Sequence, residues 1–529
     1  MAGYPSSIAS FGARAIQHFP SPGLTTNTMP ALPSSDPSLP IIVWFRSDLR
    51  LSDHAALHAA WLTSQSTGRR VIPLYIREKG PDAPRADGGA ARWWLHHSLN
   101  ALSRDVAEIG APLVLRTGDA LEAIRGLIGE TGATEVHWNR RYERAGIEVD
   151  TTVKSALKAD GIEAVSHRGN VLYEPWSVSN KQGDPCKVFT PFWRAARQTG
   201  HPDAPLPRPD KLLAYGEALE SEALEDWALL PTKPDWSGGL QADWTPGEAG
   251  ASQRLETFID EGLRGYADLR DRPDRPNTSR LSPYLRFGEI SPNQIYHRID
   301  HLMASGDTNE RDALKFLAEI GWREFSHHLL FHFPSLPQRN LQSRFDEFPW
   351  ADDDGQFLQW TRGMTGFPII DAGMRQLWQT GWMHNRVRMI VASFLVKNLL
   401  VPWQRGEEWF WDTLVDADHA NNAASWQWVA GSGADAAPYF RIFNPLLQGE
   451  KFDPEGDFVR AFVPELARLP RKFIHRPWDA SEPILREAGI ALGETYPHRM
   501  VDLAETRNRA LLAFKTIKDA PKRIPSDAA

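Results

Sequence analysis

A single cysteine, Cys186, is the whole thiol complement of this 529-residue chain. No intramolecular disulfide framework can form, which fits a reducing, cytoplasmic setting. Long apolar runs are missing too: nothing approaches the roughly 18 residues of a membrane span. Neither charge dominates. Against 59 lysines and arginines stand 67 aspartates and glutamates, a net charge of −8. Any nucleic-acid surface must therefore be a local basic patch. No GxGxxG follows the first strand-like run, so the fingerprint of a nicotinamide dinucleotide site is absent. The HExxH form is absent as well. His328 and His332 lie four apart, but they read as packed or surface histidines and no metal site is expected.

What is present is a globular composition, 42% hydrophobic and 24% charged, long enough for two or three domains. Tryptophan is abundant: there are 21 in all, with 11 between Trp322 and Trp478. Buried indole is costly unless its N–H finds a partner, so this density implies a stacking site, a redox chain or a large aromatic core.

Residues 1–39 are rich in Ser, Pro, Thr and Ala without periodicity and read as a disordered extension, with Met29 an alternative start. From residue 40 the runs IIVWF, VIPLYI, PLVLR and TEVHW alternate with helical stretches. This is the pattern of a doubly wound α/β domain with a parallel sheet, assigned to 40–165. Residues 166–245 are proline-rich and read as a long connector wrapping the surface. From 246 to 520 the pattern is helical, with a short tail at 521–529. The fold class is thus α/β followed by an all-α C-terminal domain.

Two blocks carry more than pattern: IIVWFRSDLRLSDHAAL near the start, and TGFPIIDAGMRQLWQTGWMHNRVRM with DADHANNAASWQWVAGSGADAAPYFRIFNPLLQGEKFDPEGDF later. Together they resemble the photolyase/cryptochrome family of flavoproteins over about residues 40–515. The resemblance implies a helical domain that holds FAD, an α/β domain able to carry an antenna chromophore, and blue-light chemistry on UV-damaged DNA. It also implies a monomer without membrane attachment.

Several segments gain a role by that resemblance. Thr278, Ser279, Arg280, Leu281 and Ser282 precede a helical run; on their own, hydroxyls there read better as helix caps than as a phosphate cradle. The resemblance assigns them to the FAD diphosphate, with Tyr266 a further contact. Asp416 and Asp418 look like a metal DxD, yet the EF-hand spacing fails. By resemblance Asp416 pairs with Arg388 beside the flavin ring, Asp418 accepts hydrogen bonds from the cofactor, and Trp382 also belongs to the pocket. Asn422 matches the position facing flavin N5. An amide cannot hand over a carboxyl proton, which favours repair over signalling.

In DALKFLAEIGWREFSHHLLFHF, the residues Phe316, Glu319, Trp322 and Arg323 recur at three- and four-residue spacing on one helix face. A glutamate there needs a partner, and a buried Glu–Arg pair is the plain alternative to a ligand contact. The resemblance places Phe316 and Arg323 by the flavin, Glu319 on both cofactor and lesion, and Trp322 and Trp428 as walls around a flipped-out base pair; base flipping by photolyases is itself a known behaviour of that family. The stretch TGWMHNRVRM lies in what reads as a buried helix, where Asn385 and Met389 look out of place. By resemblance they face flavin and lesion. The family's (6-4) repair members carry histidines at both positions, so Asn and Met match the cyclobutane-dimer type. Arg270, Arg323, Arg386 and Arg441 would rim the DNA-binding mouth. Trp426, Trp403 and Trp350 match an electron relay, although their spacing does not show that they touch. The antenna stays open between methenyltetrahydrofolate, deazaflavin, flavin and none, because Gln338 in SLPQRN and the segment WNRRYERAGIEVD depart from the pterin-binding pattern. The rival reading is a cryptochrome, which signals without repair.

Overall fold

The computed structural model describes residues 39–518 apart from 352 and 440; the expected extension before Leu39, the start at Met29 and the tail 521–529 lie outside the described residues. Five parallel strands form one sheet in the order β3-β2-β1-β4-β5. They are β1 (Ile41–Phe45), β2 (Val71–Glu78), β3 (Val114–Gly118), β4 (Glu135–Asn139) and β5 (Glu163–His167). The first four follow the four apolar runs. The reason is visible in β1, where successive side chains serve opposite cores. Ile41, Val43 and Phe45 face the helices Ala55–Thr67 and Gly89–Glu108. Ile42 and Trp44 face Ala120–Thr131 and Arg144–Ala159. A strand buried on both faces must be apolar throughout.

β5 has no counterpart among those runs. Its sequence EAVSH lies at the sheet edge with no fully buried residue, so burial did not select an apolar composition. It extends across residue 165.

The connector packs rather than hangs free. Ala214 bridges to Val71 of β2, and helix Phe189–Gln198 lays Phe192 against Phe325 at 5.2 Å between ring centroids. Beyond Glu248 the chain is helical and no strand occurs among the described residues. Its centre is the 23-residue helix Glu310–His332. His328 and His332 on that helix meet backbone partners: both rings lie within hydrogen-bond reach of Pro175 O, and Cys186 N donates to His328 Nε2. No helix among the described residues is long and apolar enough to cross a membrane.

The two parts are joined through buried polar contacts. Glu289 is fully buried and accepts from Trp94 Nε1 at 3.0 Å, Gly247 N at 2.6 Å and Ser98 Oγ. Burial outweighs these three donors and pushes its carboxyl from 4.5 up to about 8. A carboxyl raised on folding adds stability that is complete below its unfolded pKa and is lost as pH climbs through the folded one. Stability against urea is therefore expected to decline by roughly 5 kcal/mol across that interval. Glu289→Gln should flatten the decline, as read from unfolding midpoints at several pH values.

Candidate flavin and DNA site

The loop before the short helix Ser282–Phe287 does not cap it. Leu281 occupies the cap position with no side-chain bond, so the capping expectation for these hydroxyls fails. The polar groups are spent elsewhere. Ser282 Oγ donates to Asp416 Oδ2 at 2.6 Å, and Trp382 Nε1 donates to Ser282 Oγ at 3.3 Å. Arg388 Nη2 reaches the same Asp416 oxygen at 2.7 Å. Arg280 takes a positive φ of 53°, turning the loop sharply, and its guanidinium is held by Asp243 and lies 4.2 Å from the Trp244 ring centroid and 5.1 Å from that of Trp382. Thr278 and Ser279 are half-buried beside it.

This group of residues has acceptor and donor capacity left over. Asp416 Oδ1 and Arg280 Nε are buried without a hydrogen-bond partner, which suits a polar ligand. Asp418 Oδ1 caps helix His419–Ala430 by accepting from Ala420 N and Asn421 N. Burial alone would raise its pKa. The charges of His327 and Arg323 and the Asn421 N–H outweigh burial and hold it well below the usual carboxylate range. Its second oxygen lies 3.9 Å from His327 Nε2. Tyr266 and Phe316 are buried with rings 5.5 Å apart and nearly perpendicular.

Asn385 is not in a helix interior but opens a helix. Helix Pro368–Thr380 ends at Gly381, whose φ of 64° is the left-handed cap that glycine accepts most readily. A new helix, Asn385–Ser393, starts at Asn385, with His384 Nδ1 accepting from Arg386 N at 3.1 Å. Asn385 is therefore exposed, and Met389, one turn on, is half-buried. An amide in a first turn can face a ligand without breaking helical hydrogen bonds.

Two neighbouring residues, Arg270 and Asp271, draw the long helix and this helix to one place. Arg270 pairs with Glu319, while Asp271 takes Arg386 Nη2 at 2.6 Å. Lys315 Nζ also donates to Glu319 at 3.0 Å. The Glu–Arg pair considered from the sequence thus exists. Arg323 is paired with Glu324 at 3.2 Å. Three of the four rim arginines are accordingly already matched with carboxylates, and Arg441 is exposed. Trp322 and Trp428 are both half-buried. One face of Trp322 is covered by Phe189, stacked at 3.8 Å and 9°. The sequence reading missed Phe189, which sits in the connector without periodicity to mark it.

The three relay candidates differ in depth. Trp426 and Trp403 are 2% and 0% exposed, and Trp350 is half-buried. Gly406, on the helix Trp403–Thr413, lets Trp426 approach: a Cβ there would lie 2.2 Å from the indole. Ala351 N donates to Leu400 O at 2.8 Å, which fixes the Trp350 segment near the start of that helix. Trp403 Nε1 donates to Asn340 Oδ1 at 2.8 Å.

At the carboxyl ends of β1 and β4 strand order reverses, the position where doubly wound sheets commonly take ligands. Here Asn139 Nδ2 donates to Asp48 Oδ2 at 2.8 Å, and Arg46 and Arg141 both bond Asp150.

Residues 41–210 match the family described as DNA photolyase, and 316–516 match the FAD binding domain of DNA photolyase. A deoxyribodipyrimidine photo-lyase of Agrobacterium fabrum is 54% identical over 90% of this chain and 98% of its own. Cryptochrome-2 of Arabidopsis thaliana is 39% identical over 90% of this chain and 79% of its own. The crystal structure of a bacterial class III photolyase from Agrobacterium tumefaciens superposes with a TM-score of 0.87 at 54% identity, covering 93% of this chain and 100% of that one. The chain belongs to the DNA photolyase family of FAD-binding enzymes.

Proposed function

We propose that this enzyme repairs cyclobutane pyrimidine dimers in UV-damaged DNA under blue light, acting as a cytoplasmic monomer on a flipped-out lesion. The observation that supports the reading is the joint hold of Arg270 on Glu319 and of Asp271 on Arg386, which ties the helix carrying Glu319 and Trp322 to the helix carrying Asn385 and Met389. Bound in its pocket, reduced FAD would supply light-driven electron donation to the lesion.

The chain's own residues do the rest. Ser282, Asp416 and Arg388, already bonded to one another, are the groups that would hold the cofactor, together with the 278–281 turn and Tyr266. Glu319 and the Asn385 amide orient the lesion by hydrogen bonds. Trp322, braced by Phe189, and Trp428 stack on pyrimidine faces, and the flexible Met389 thioether packs beside them. Dimer splitting needs no proton transfer from the mouth, and Asn and Met suit that chemistry better than the histidines that (6-4) repair requires.

Signalling without repair is the second reading, favoured by the likeness to Cryptochrome-2. Reduced protein given cyclobutane and (6-4) oligonucleotides separately, under blue light, separates the two. Repair of the cyclobutane lesion alone is expected. Repair of neither, with FAD bound, would favour signalling.

DNA affinity should weaken with salt as phosphates are engaged. Arg441→Ala is expected to reduce the slope of log affinity against log salt by about 0.9, the value for one phosphate contact. An unchanged slope would remove Arg441 from the interface.

A further inference from the structure

The Asn422 amide is tied through Glu407 to the α/β domain. Asn422 is 8% exposed, and its Nδ2 donates to Glu407 Oε1 at 2.8 Å and to Glu407 O at 3.0 Å. Both amide hydrogens are thereby used, which fixes the orientation of the amide and turns Oδ1 to its other side. Glu407 is itself buried, and Arg85 Nη1 grips both of its carboxylate oxygens, at 2.8 and 3.0 Å. Arg85 comes from the loop between β2 and helix Gly89–Glu108. That loop is seated on helix Trp403–Thr413 at several points. Trp411 Nε1 donates to Ala86 O at 2.9 Å, Gly89 N donates to Asp412 Oδ1 at 2.8 Å, and the Arg85 guanidinium lies 4.2 Å from the Trp411 ring centroid. A Cβ at Gly88 would come within 2.2 Å of Trp411 O, so the backbones are in close contact.

We propose that Arg85 is a positioning residue which, through Glu407, holds the Asn422 amide with its carbonyl oxygen toward the flavin edge, so that the ring nitrogen there meets an acceptor and keeps its proton on reduction. The inference rests on the placement of Asn422 at flavin N5.

The electrostatics run the same way. Burial pushes the Glu407 carboxyl up and neighbouring Glu408 adds to this, while the Arg85 bond and charge and the Asn422 amide oppose it. Without Arg85, burial acts on Glu407 with less opposition. A protonated carboxyl accepts more weakly than a carboxylate, so the side-chain bond to Asn422 Nδ2 loosens while the bond to Glu407 O stays, and the amide turns its N–H toward the flavin more readily. A donor at that edge repels a protonated nitrogen and favours the deprotonated form.

The test is the pH titration of the one-electron-reduced flavin in the FAD-loaded protein, read by its visible spectrum, which distinguishes the N5-protonated from the anionic species. Arg85→Met should lower the pH at which the proton is lost by about one unit or more; Glu407→Gln should do likewise, and Arg85→Lys should restore most of the parent behaviour. FAD content and thermal unfolding of each variant are measured alongside, so that loss of fold is recognised as such; Arg85 is 35% exposed at its side chain, and Arg85→Lys keeps the charge. Asn422→Ala separates the two claims. A shift in Asn422→Ala with Arg85→Met unchanged overturns the role of Arg85 alone. No shift in Asn422→Ala overturns the placement of Asn422 at the flavin and the inference with it.

Discussion

Glu319→Ala is expected to lose most repair while keeping FAD bound. Glu319, placed by the proposed function at the lesion, is 25% exposed at its side chain and paired with Arg270 and Lys315. The groups proposed to hold the diphosphate and ring, Ser282, Asp416 and Arg388, bond one another, whereas Glu319 is bonded by Arg270 and Lys315. Removing a charged hydrogen-bonding group costs about 1.5–3 kcal/mol. A loss of that size, if felt mainly at the transition state, corresponds to a fall of about 10- to 100-fold in repair. Two effects accompany it. Arg270 is left without its carboxylate, so it becomes a stronger phosphate ligand, and overall DNA affinity can hold steady or rise while repair drops. Glu319→Gln, which keeps a hydrogen-bonding head, should fall between parent and alanine. Unchanged repair in Glu319→Ala, measured with reduced protein on a defined lesion, would remove this residue from the mechanism.

Trp350→Phe is expected to abolish photoreduction of oxidised FAD and to leave repair by chemically reduced protein at the parent level. Indole is readily oxidised for a side chain, whereas phenylalanine keeps the shape and not the redox property. The depth order of Trp426, Trp403 and Trp350 runs from buried to half-buried, as a relay from pocket to solvent requires. Trp350 packs on Phe348 at 4.4 Å, so a phenyl ring at 350 should be accommodated with little loss of stability. Photoreduction that survives would sink the relay assignment. Repair lost along with it, in fully reduced protein, would mean that the substitution disturbs the fold rather than the relay.

The fold was legible where burial had shaped composition. The central strands β1 and β2 are apolar over most of their length because both sheet faces are covered, β3 and β4 kept enough apolar residues to show, and the long helix around Glu319 showed its spacing. β5 escaped because it is an edge strand with no fully buried residue, whereas the other edge strand, β3, still buries Val114 and Leu115. The WMHN segment was read as helix interior because its flanks are apolar. The signal that would have corrected this is Gly381 after Thr380, a helix end, with His384 in position to cap the next helix. For the site, the two long motifs carried nearly everything, and the residue-level reading contributed the alternatives. Partners supplied from a distance were invisible. Arg85 and Glu407 are 322 positions apart, and Phe189 belongs to a connector that looked like a loop. No local pattern announces such pairs; only the folded chain brings them together.

The most direct measurement is a light-minus-dark repair assay on an oligonucleotide with one thymine cyclobutane dimer, using purified protein with its FAD chemically reduced. The account expects the ultraviolet absorbance of the restored thymines to return under blue light, in proportion to the dimer bound, and to stay flat in the dark. No recovery in the light, with FAD bound and fully reduced and the lesion bound, would contradict it.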